Sequence, residues 1–159
     1  MLGENDFSTI SSFLLDDIQI QMGGSTATWG NASVAGAIHL KTFSEFKDCI
    51  DLSAFVGAGS FGNYSSGAKI NLGNKKYSSS TKFLLQKSDN NFKYLDANGK
   101  VIKMSNSALA LFGFIHDSRF KINEKNILNF SYWNQQTERQ ISPTTNQQIS
   151  VANQSDANN

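Results

Sequence analysis

The sequence predicts an all-β protein, and two observations carry that prediction. The first is composition: of 159 residues only 17% are charged and 39% hydrophobic, yet 12 are Phe and one is Pro. A chain poor in charge and in aliphatic residues but rich in Phe resembles neither a helical bundle nor a disordered tail. The second is that apolar and polar residues alternate with a period of two after about residue 42, which is typical of strands whose two faces meet different surroundings.

Five consecutive strands are predicted from this alternation. In the clearest, Tyr64–Gly73, the even-numbered residues are mostly apolar and the odd-numbered ones small or polar. A Gly-rich turn at 59–63 joins it to an alternating segment at 49–58, so these two form a hairpin. The other three strands are Ser78–Lys87, Ser107–Lys121 and Asn126–Arg139. Which face of the fourth strand is apolar stays open, because Phe112 and Phe114 oppose Leu111 and Ile115.

The connections between these strands differ in length. The links at 73–77 and 122–125 are short and polar, whereas the link at 88–106 is long and contains an Asn98-Gly99 turn signal. From Ser142 onward the sequence has no periodicity and is rich in Gln, Asn, Ser and Thr, which predicts a loop. Short and long links therefore alternate along an up-and-down sheet, except that the first hairpin tip, at 59–63, is itself short.

Two architectures fit such strands. Transmembrane β-barrel strands are about 9–11 residues long, alternate apolar and polar, and have short turns at one end and longer loops at the other. Half of a soluble β-sandwich also alternates. The small and polar face, rich in Ser, Gly, Asn and Lys, suits a wet lumen or the surface of a plug better than a dry interior. Tyr132 and Trp133 belong either to an aromatic belt at a membrane interface or to ordinary packing.

Residues 18–42 contain the most distinctive series of motifs. Ile18 and Ile20 lead to a turn at Gly23-Gly24, then a small-residue segment with Trp29-Gly30, then a turn at Gly36 and the aliphatic residues 37–40. This series resembles the end of the plug domain of TonB-dependent outer-membrane receptors. The chain departs from the family pattern in having Met22-Gly23-Gly24 for Arg-Gly-Pro or Lys-Gly, and Ala35-Gly36 for Gly-Gly.

Two loop segments extend the resemblance towards the C-terminus. Residues 88–94 are similar to an Asn-Asp-Phe-x-Tyr element of the family's second extracellular loop, and residues 137–144 to an Arg-Glu-Ile-Pro-Pro stretch after the fifth strand of Bacteroidetes-like receptors. The resemblance implies that residues 1–42 are the C-terminal part of a plug domain and residues 43–159 the N-terminal part of a β-barrel. It implies a structural plug motif at Gly23, Gly24, Trp29, Gly30 and Gly36.

The resemblance also implies a function. The chain would belong to a transporter in the bacterial outer membrane that imports a scarce solute, such as a ferric siderophore or cobalamin. Its partners would be TonB, outer-membrane lipid and the solute, and it would be neither an enzyme nor a carrier of a cofactor. Phe92 and Tyr94, in the long loop, are the candidate ligand contacts. The alternative is a small secreted or surface β-sandwich that acts as a binding module.

The length leads to a further expectation. Such receptors have about 22 strands around a plugged lumen, and five strands cannot close a barrel and satisfy their backbone groups in lipid. The first 12 residues also lack the basic and apolar regions of a signal peptide. We therefore expect the chain to be a fragment of a longer receptor.

Other functional classes find little support in the residues. The net charge of +1 argues against nucleic acid as a partner, and a single Cys49 with two His argues against a metal site. Residues 57–62 match G-x-G-x-x-G, but the next segment alternates as a strand, so a hairpin tip is predicted instead of a nucleotide loop. Asp16 and Asp17 are predicted to be solvated acids, and no set of residues suggests an enzyme active site.

Overall fold

The structure, a computed structural model, describes residues 10–22, 36–42, 46–96, 98–142 and 153–158. As predicted, it is all-β. The described residues form a short 3-10 turn at Ser12–Leu14 and the strands β1 (Asp17–Met22), β2 (Gly36–Lys41), β3 (Cys49–Gly59), β4 (Asn63–Gly73), β5 (Tyr77–Ser88), β6 (Lys93–Leu95), β7 (Val101–Lys103), β8 (Leu109–Lys121), β9 (Ile127–Gln140) and β10 (Asn153–Asn158). None of their helical segments has the length and apolar character needed to cross a membrane.

Six strands form one antiparallel sheet in the order β10-β9-β8-β5-β4-β3. The five predicted strands are β3, β4, β5, β8 and β9, and each pairs with the next along the chain. The up-and-down arrangement is therefore confirmed. In the described part of the chain β3 and β10 are the two edges of this sheet. Its long connections lie at the end where β5 and β9 finish, together with the β3–β4 turn, and the short turns after β4 and β8 lie at the opposite end.

Two small hairpins lie outside the main sheet. β1 pairs with β2, with Ile18 opposite Leu40 and Ile20 opposite Ile38. β6 pairs with β7 inside the long connection, around the predicted turn at Asn98-Gly99, where Gly99 has a φ of +76°.

The prediction of a loop after Ser142 is wrong for residues 153–158. These residues pair antiparallel with β9 as strand β10. A strand added to a sheet edge is held by backbone hydrogen bonds, so it needs no alternation of apolar residues in its sequence. The polar composition of this segment therefore gave no signal for it.

The turn between β3 and β4 depends on Gly62. Gly62 has a φ of +69°, and a Cβ at this position would lie 2.5 Å from Oδ2 of Asp89. The backbone N–H groups of Asp89 and Asn90 donate to the carbonyl of Phe61 at 3.1 Å each. The G-x-G-x-x-G segment is thus a hairpin tip, as predicted, and it contacts the start of the long connection.

The two faces of the main sheet differ sharply. We call apolar face the even-numbered residues of β3, β4, β8 and β9 and the odd-numbered residues of β5, which the register brings to one side. The polar face is the opposite side. On the apolar face Ile50 is 87% and Val56 89% exposed, whereas on the polar face Lys82 is 0% and Ser80 1% exposed. The main sheet therefore exposes much of its apolar face and covers the middle of its polar face, which also holds the buried residues Leu84, Leu111 and Ile115.

Residues 10–16, the covering segment, lie against the polar face. Leu14 is fully buried there against Leu84, Leu111 and Ile115. This contact resolves the open facing of β8, because Leu111 and Ile115 lie on the polar face while Phe112 and Phe114 lie on the apolar face. Trp133 also packs against this cluster, so packing is the right interpretation for it.

Gly113 makes room for the covering segment. A Cβ added at Gly113 would lie 2.5 Å from Cδ1 of Leu14. We expect Gly113→Val to lower the free energy of unfolding by about 1–3 kcal/mol, as overpacked cores do. The measurement is urea unfolding of the full chain, kept in detergent micelles because its apolar face is exposed.

Gly59→Ala is the matched control, since a Cβ there meets Asn63 at an ordinary 3.6 Å. Adding Leu14→Ala to Gly113→Val should recover part of the lost stability by giving the valine space. Equal stability of the Gly113 and Gly59 variants would contradict the packing described here.

Candidate functional site

Lys82 is a fully buried cation in the middle of the polar face. Its ammonium donates to the carbonyl of Leu14 at 3.1 Å, to Oδ2 of Asp16 at 2.6 Å and to the carbonyl of Thr42 at 2.8 Å. An ammonium has three donors, so all of them are used. Leu14 and Asp16 precede the β1–β2 hairpin and Thr42 follows it. Lys82 therefore fixes both ends of that hairpin to the main sheet.

Asp16 lies between two lysines of the polar face. Lys69 and Lys82 are directly opposite each other in the β4–β5 register, where two like charges would be destabilising. Asp16 offsets this repulsion by pairing with Lys69 through Oδ1 and with Lys82 through Oδ2. The prediction of a solvated acid is thus wrong for Asp16, whose side chain is 16% exposed. Two facing lysines in adjacent strands were the signal that an anion was needed.

The protonation state of Asp16 follows from these contacts. Burial raises the pKa of this carboxyl, but hydrogen bonds from Lys69 and Lys82, together with their charges, outweigh burial and hold the pKa below its ordinary value. Asp16 is therefore a carboxylate at neutral pH.

Further polar groups are buried on the polar face. Ser80 Oγ donates to Asn71 Oδ1 at 2.7 Å, and Ser131 Oγ donates to Asp117 Oδ1 at 2.5 Å. Asp117 Oδ2 and Thr137 Oγ1 are buried without a hydrogen bond among the described residues. Because buried polar atoms are costly when unpaired, this face offers partners to water or to further polar groups.

A cavity of about 770 Å³ opens on the polar face at the long-connection end. The covering segment contributes Ser11 and Ser12 to its lining, the main sheet Thr137 and Arg139, and the long connection Asn90 and Phe92. Its volume lies within the range of about 300–1,000 Å³ that is common for small-molecule sites. The lining combines hydroxyl and amide groups, one guanidinium and one aromatic ring with the aliphatic side chains of Leu109, Leu111 and Ile141.

The two candidate ligand contacts are separated by the structure. Phe92 lines the cavity, and its ring lies 6.1 Å from that of Phe61 at the β3–β4 tip. Tyr94 lies in β6 opposite Ile102 and is not part of the cavity lining. The sequence did not indicate Ser12, Thr137 or Arg139, because they come from two distant segments, the covering segment and β9, that only the folded chain brings together.

Of the predicted plug motif, Gly36 is the first residue of β2, where it pairs with Met22. The other four residues, Gly23, Gly24, Trp29 and Gly30, lie outside the described residues.

Among the described residues there is no group of three His, Cys, Asp or Glu side chains that could hold a metal ion. Both ring nitrogens of His116 are within 2.9 Å of a hydroxyl, one of Thr81 and one of Ser118.

Comparison with known proteins does not identify a family. A scan against protein-family models matches nothing in the chain, and a search of the curated proteins finds no match. The case for a function therefore rests on the two faces of the sheet and on the cavity.

Replacing Lys82 tests the contact on which the hairpin depends. Lys82→Met keeps the length of the side chain but leaves the Asp16 carboxylate and two carbonyl groups without their buried donor. We expect the free energy of unfolding to fall by about 3–5 kcal/mol. Lys41→Met is the control, because the Lys41–Asp17 pair is about half exposed and its loss should cost below about 1 kcal/mol. A Lys82 variant as stable as the Lys41 variant would exclude the proposed role.

The pH dependence of stability should report on Asp16. Its pKa is lower in the folded than in the unfolded chain, so its stabilisation is complete above pH about 4 and is lost as the pH falls through the folded pKa. Unfolding of the wild type and of Asp16→Asn should be compared across the acid range. The difference in stability should shrink as the pH falls below about 4. If the stabilities of the wild type and Asp16→Asn run parallel down to the lowest pH, Asp16 makes no pH-dependent contribution to stability.

Proposed function

We propose that this chain is part of a TonB-dependent outer-membrane receptor, with β3, β4, β5, β8 and β9 in the barrel wall and the covering segment and the β1–β2 hairpin belonging to the plug. The proposal depends on one observation, the exposed apolar face of the main sheet opposite a covered polar face. An apolar face that is exposed and a polar face that is covered suit a wall between lipid and a polar interior. In a β-sandwich the apolar face would be the covered one.

The dimensions of the apolar face support this proposal. Tyr77 and Lys87 lie near the two ends of β5, ten residues apart, which at strand geometry spans about 33 Å. For a strand tilted by about 40° this corresponds to a height of about 25 Å, the height of the apolar band of transmembrane barrels. Tyr77 and Phe120 have their rings 4.7 Å apart at the short-turn end, where an aromatic girdle would lie.

The polar face supports the assignment of the covering segment to a plug. A barrel interior filled by a plug needs polar contacts between plug and wall, and Lys82 and Lys69 supply them to Asp16. In this arrangement the short turns at 74–76 and 122–126 would face the periplasm, and the long connections would face the exterior.

The cavity at the long-connection end is the proposed solute site. It lies at the end with the long connections, between the covering segment and the wall, and Phe92 reaches it from the loop. We assign to the receptor the import of a scarce solute such as a ferric siderophore or cobalamin, with energy supplied through TonB. The serine, asparagine and arginine groups of the lining suit a polar or anionic solute, and Phe92 provides a flat apolar surface.

A charge placed on the apolar face tests this function. Leu52 lies on the apolar face of β3, and its neighbour Ser53 lies on the polar face. Leu52→Arg should weaken insertion of the full chain into phosphatidylcholine vesicles by about 2–4 kcal/mol, because the charge would enter the lipid near mid-depth. Vesicle flotation across a urea series measures this free energy.

Ser53→Arg is the control and should change insertion much less. In a soluble β-sandwich the full chain would unfold cooperatively as a monomer in plain buffer, with no vesicle-bound fraction. That result, or equal effects of the two arginines, would contradict the transporter proposal.

A further inference from the structure

Arg139 is the charged residue of the cavity on the polar face. Of the described residues that line this cavity it alone has an ionised side chain, and the others are polar, aliphatic or aromatic. No ion pair in the described part of the chain engages its guanidinium, and the residue is exposed. A guanidinium presents its donors in a planar fork that matches a carboxylate. The cavity therefore offers a position for one anionic group.

A buried hydroxyl group lies near this cation. Thr137 precedes Arg139 by two residues on the same face of β9, so their Cα atoms are about 7 Å apart. Thr137 also lines the cavity and is 3% exposed, and its Oγ1 has no hydrogen bond among the described residues. A hydroxyl can both donate and accept, and burying it without a partner is costly. An oxygen atom of a bound solute would supply that partner.

Aliphatic side chains lie beside both polar groups. Leu111 is opposite Thr137 and Leu109 is opposite Arg139, and both leucines line the cavity. Phe92 adds an aromatic ring from the long connection. A solute whose anionic group binds Arg139 would therefore have the rest of its surface against leucine and phenylalanine. Such a lining fits a molecule with a single negative charge on an apolar body.

The ring of Phe92 packs against a residue with a strained backbone. Phe61, at the β3–β4 tip, has a φ of +63°, a left-handed conformation that is unfavourable for a bulky side chain. Its carbonyl accepts the N–H groups of Asp89 and Asn90, and its ring meets that of Phe92 edge to face at an angle of 72°. Aromatic pairs prefer this geometry. Phe61 is therefore a positioning residue for the Phe92 ring.

We propose that the cavity binds a solute that carries an aromatic carboxylate group. Arg139 and Thr137 donate to the carboxylate, and the aromatic ring of the solute packs against Phe92 and the leucines. Hydrogen bonds between charged groups are the strong ones, so the carboxylate determines the orientation of the solute. The inference rests on the proposed function, because it takes the cavity as the solute site, and it adds the chemical class of the solute.

The test measures the binding of three small probes to the full chain in nonionic detergent micelles by ligand-observed nuclear magnetic resonance titration. Benzoate has the ring and the charge, benzamide has the ring without the charge, and cyclohexanecarboxylate has the charge without the flat ring. Empty micelles correct for partition into detergent. We expect benzoate to bind about tenfold more tightly than benzamide and about threefold more tightly than cyclohexanecarboxylate.

Variants of the two polar residues test the carboxylate contact. Arg139→Gln should abolish the preference for benzoate over benzamide. Arg119→Gln is the matched control, because it removes the same charge from the polar face at the short-turn end, and it should leave that preference unchanged. Thr137→Val keeps the shape of the side chain and should weaken benzoate binding about threefold.

Variants of the aromatic residues test the ring contact. Phe92→Leu should abolish the preference for benzoate over cyclohexanecarboxylate and leave the preference over benzamide unchanged. Phe61→Asn suits the left-handed backbone but lacks the ring, so it should weaken the same ring preference without affecting the charge preference. Phe130→Leu, on the apolar face, is the control and should change neither.

Three results would overturn the assigned solute class. They are equal binding of benzoate and benzamide by the wild type, a charge preference that survives Arg139→Gln, and binding of none of the three probes. Each of them leaves the transporter proposal to be decided separately by the vesicle insertion of Leu52→Arg and Ser53→Arg.

Discussion

The buried ammonium of Lys82 is the constraint on which the rest of the structure depends. A cation at mid-strand on a covered face is tolerable only if its three donors find acceptors. Those acceptors come from outside the main sheet, from the residues on either side of the β1–β2 hairpin. The position of the covering segment, the burial of Leu14 beside Gly113, and the ion pair between Asp16 and Lys69 all follow from that one requirement.

The exposure of the apolar face connects the Lys82 contacts on the polar face to the proposed function. Removal of apolar surface from water is favourable, so we expect the exposed Ile50, Leu52 and Val56 to contact an apolar environment. In the proposed receptor, lipid would contact the apolar face, while lysine, serine and asparagine on the polar face contact a segment of the same chain. Such a barrel wall would leave a polar space at the end with the long connections, where the cavity beside Phe92 lies.

Much of the main sheet was predictable from the sequence because apolar and polar residues alternate along most of its strands, although the pattern of β8 did not determine its facing. A period of two determines which side chains share a face, and the short polar links determine which strands are neighbours. The contacts across segments were not predictable in the same way. Asp16 and Lys82 are 66 residues apart, and no local pattern pairs them. β10 was missed because backbone pairing at an edge leaves no mark on side-chain composition. Phe92 was found from a loop motif, whereas Thr137 and Arg139 reach the same cavity only through the register of β8 and β9.

The most direct test of the central claim is electron paramagnetic resonance accessibility along β4 of the full chain in phospholipid vesicles. Single cysteines carrying a spin label, in a Cys49→Ser background, would replace Ala68, Ile70 and Leu72 on the apolar face and Ser65 and Asn71 on the polar face. The account predicts that collisions with oxygen, which concentrates in lipid, rise and fall with a period of two and are high on the apolar face. Low oxygen accessibility at Ala68, Ile70 and Leu72, with no alternation, would contradict it.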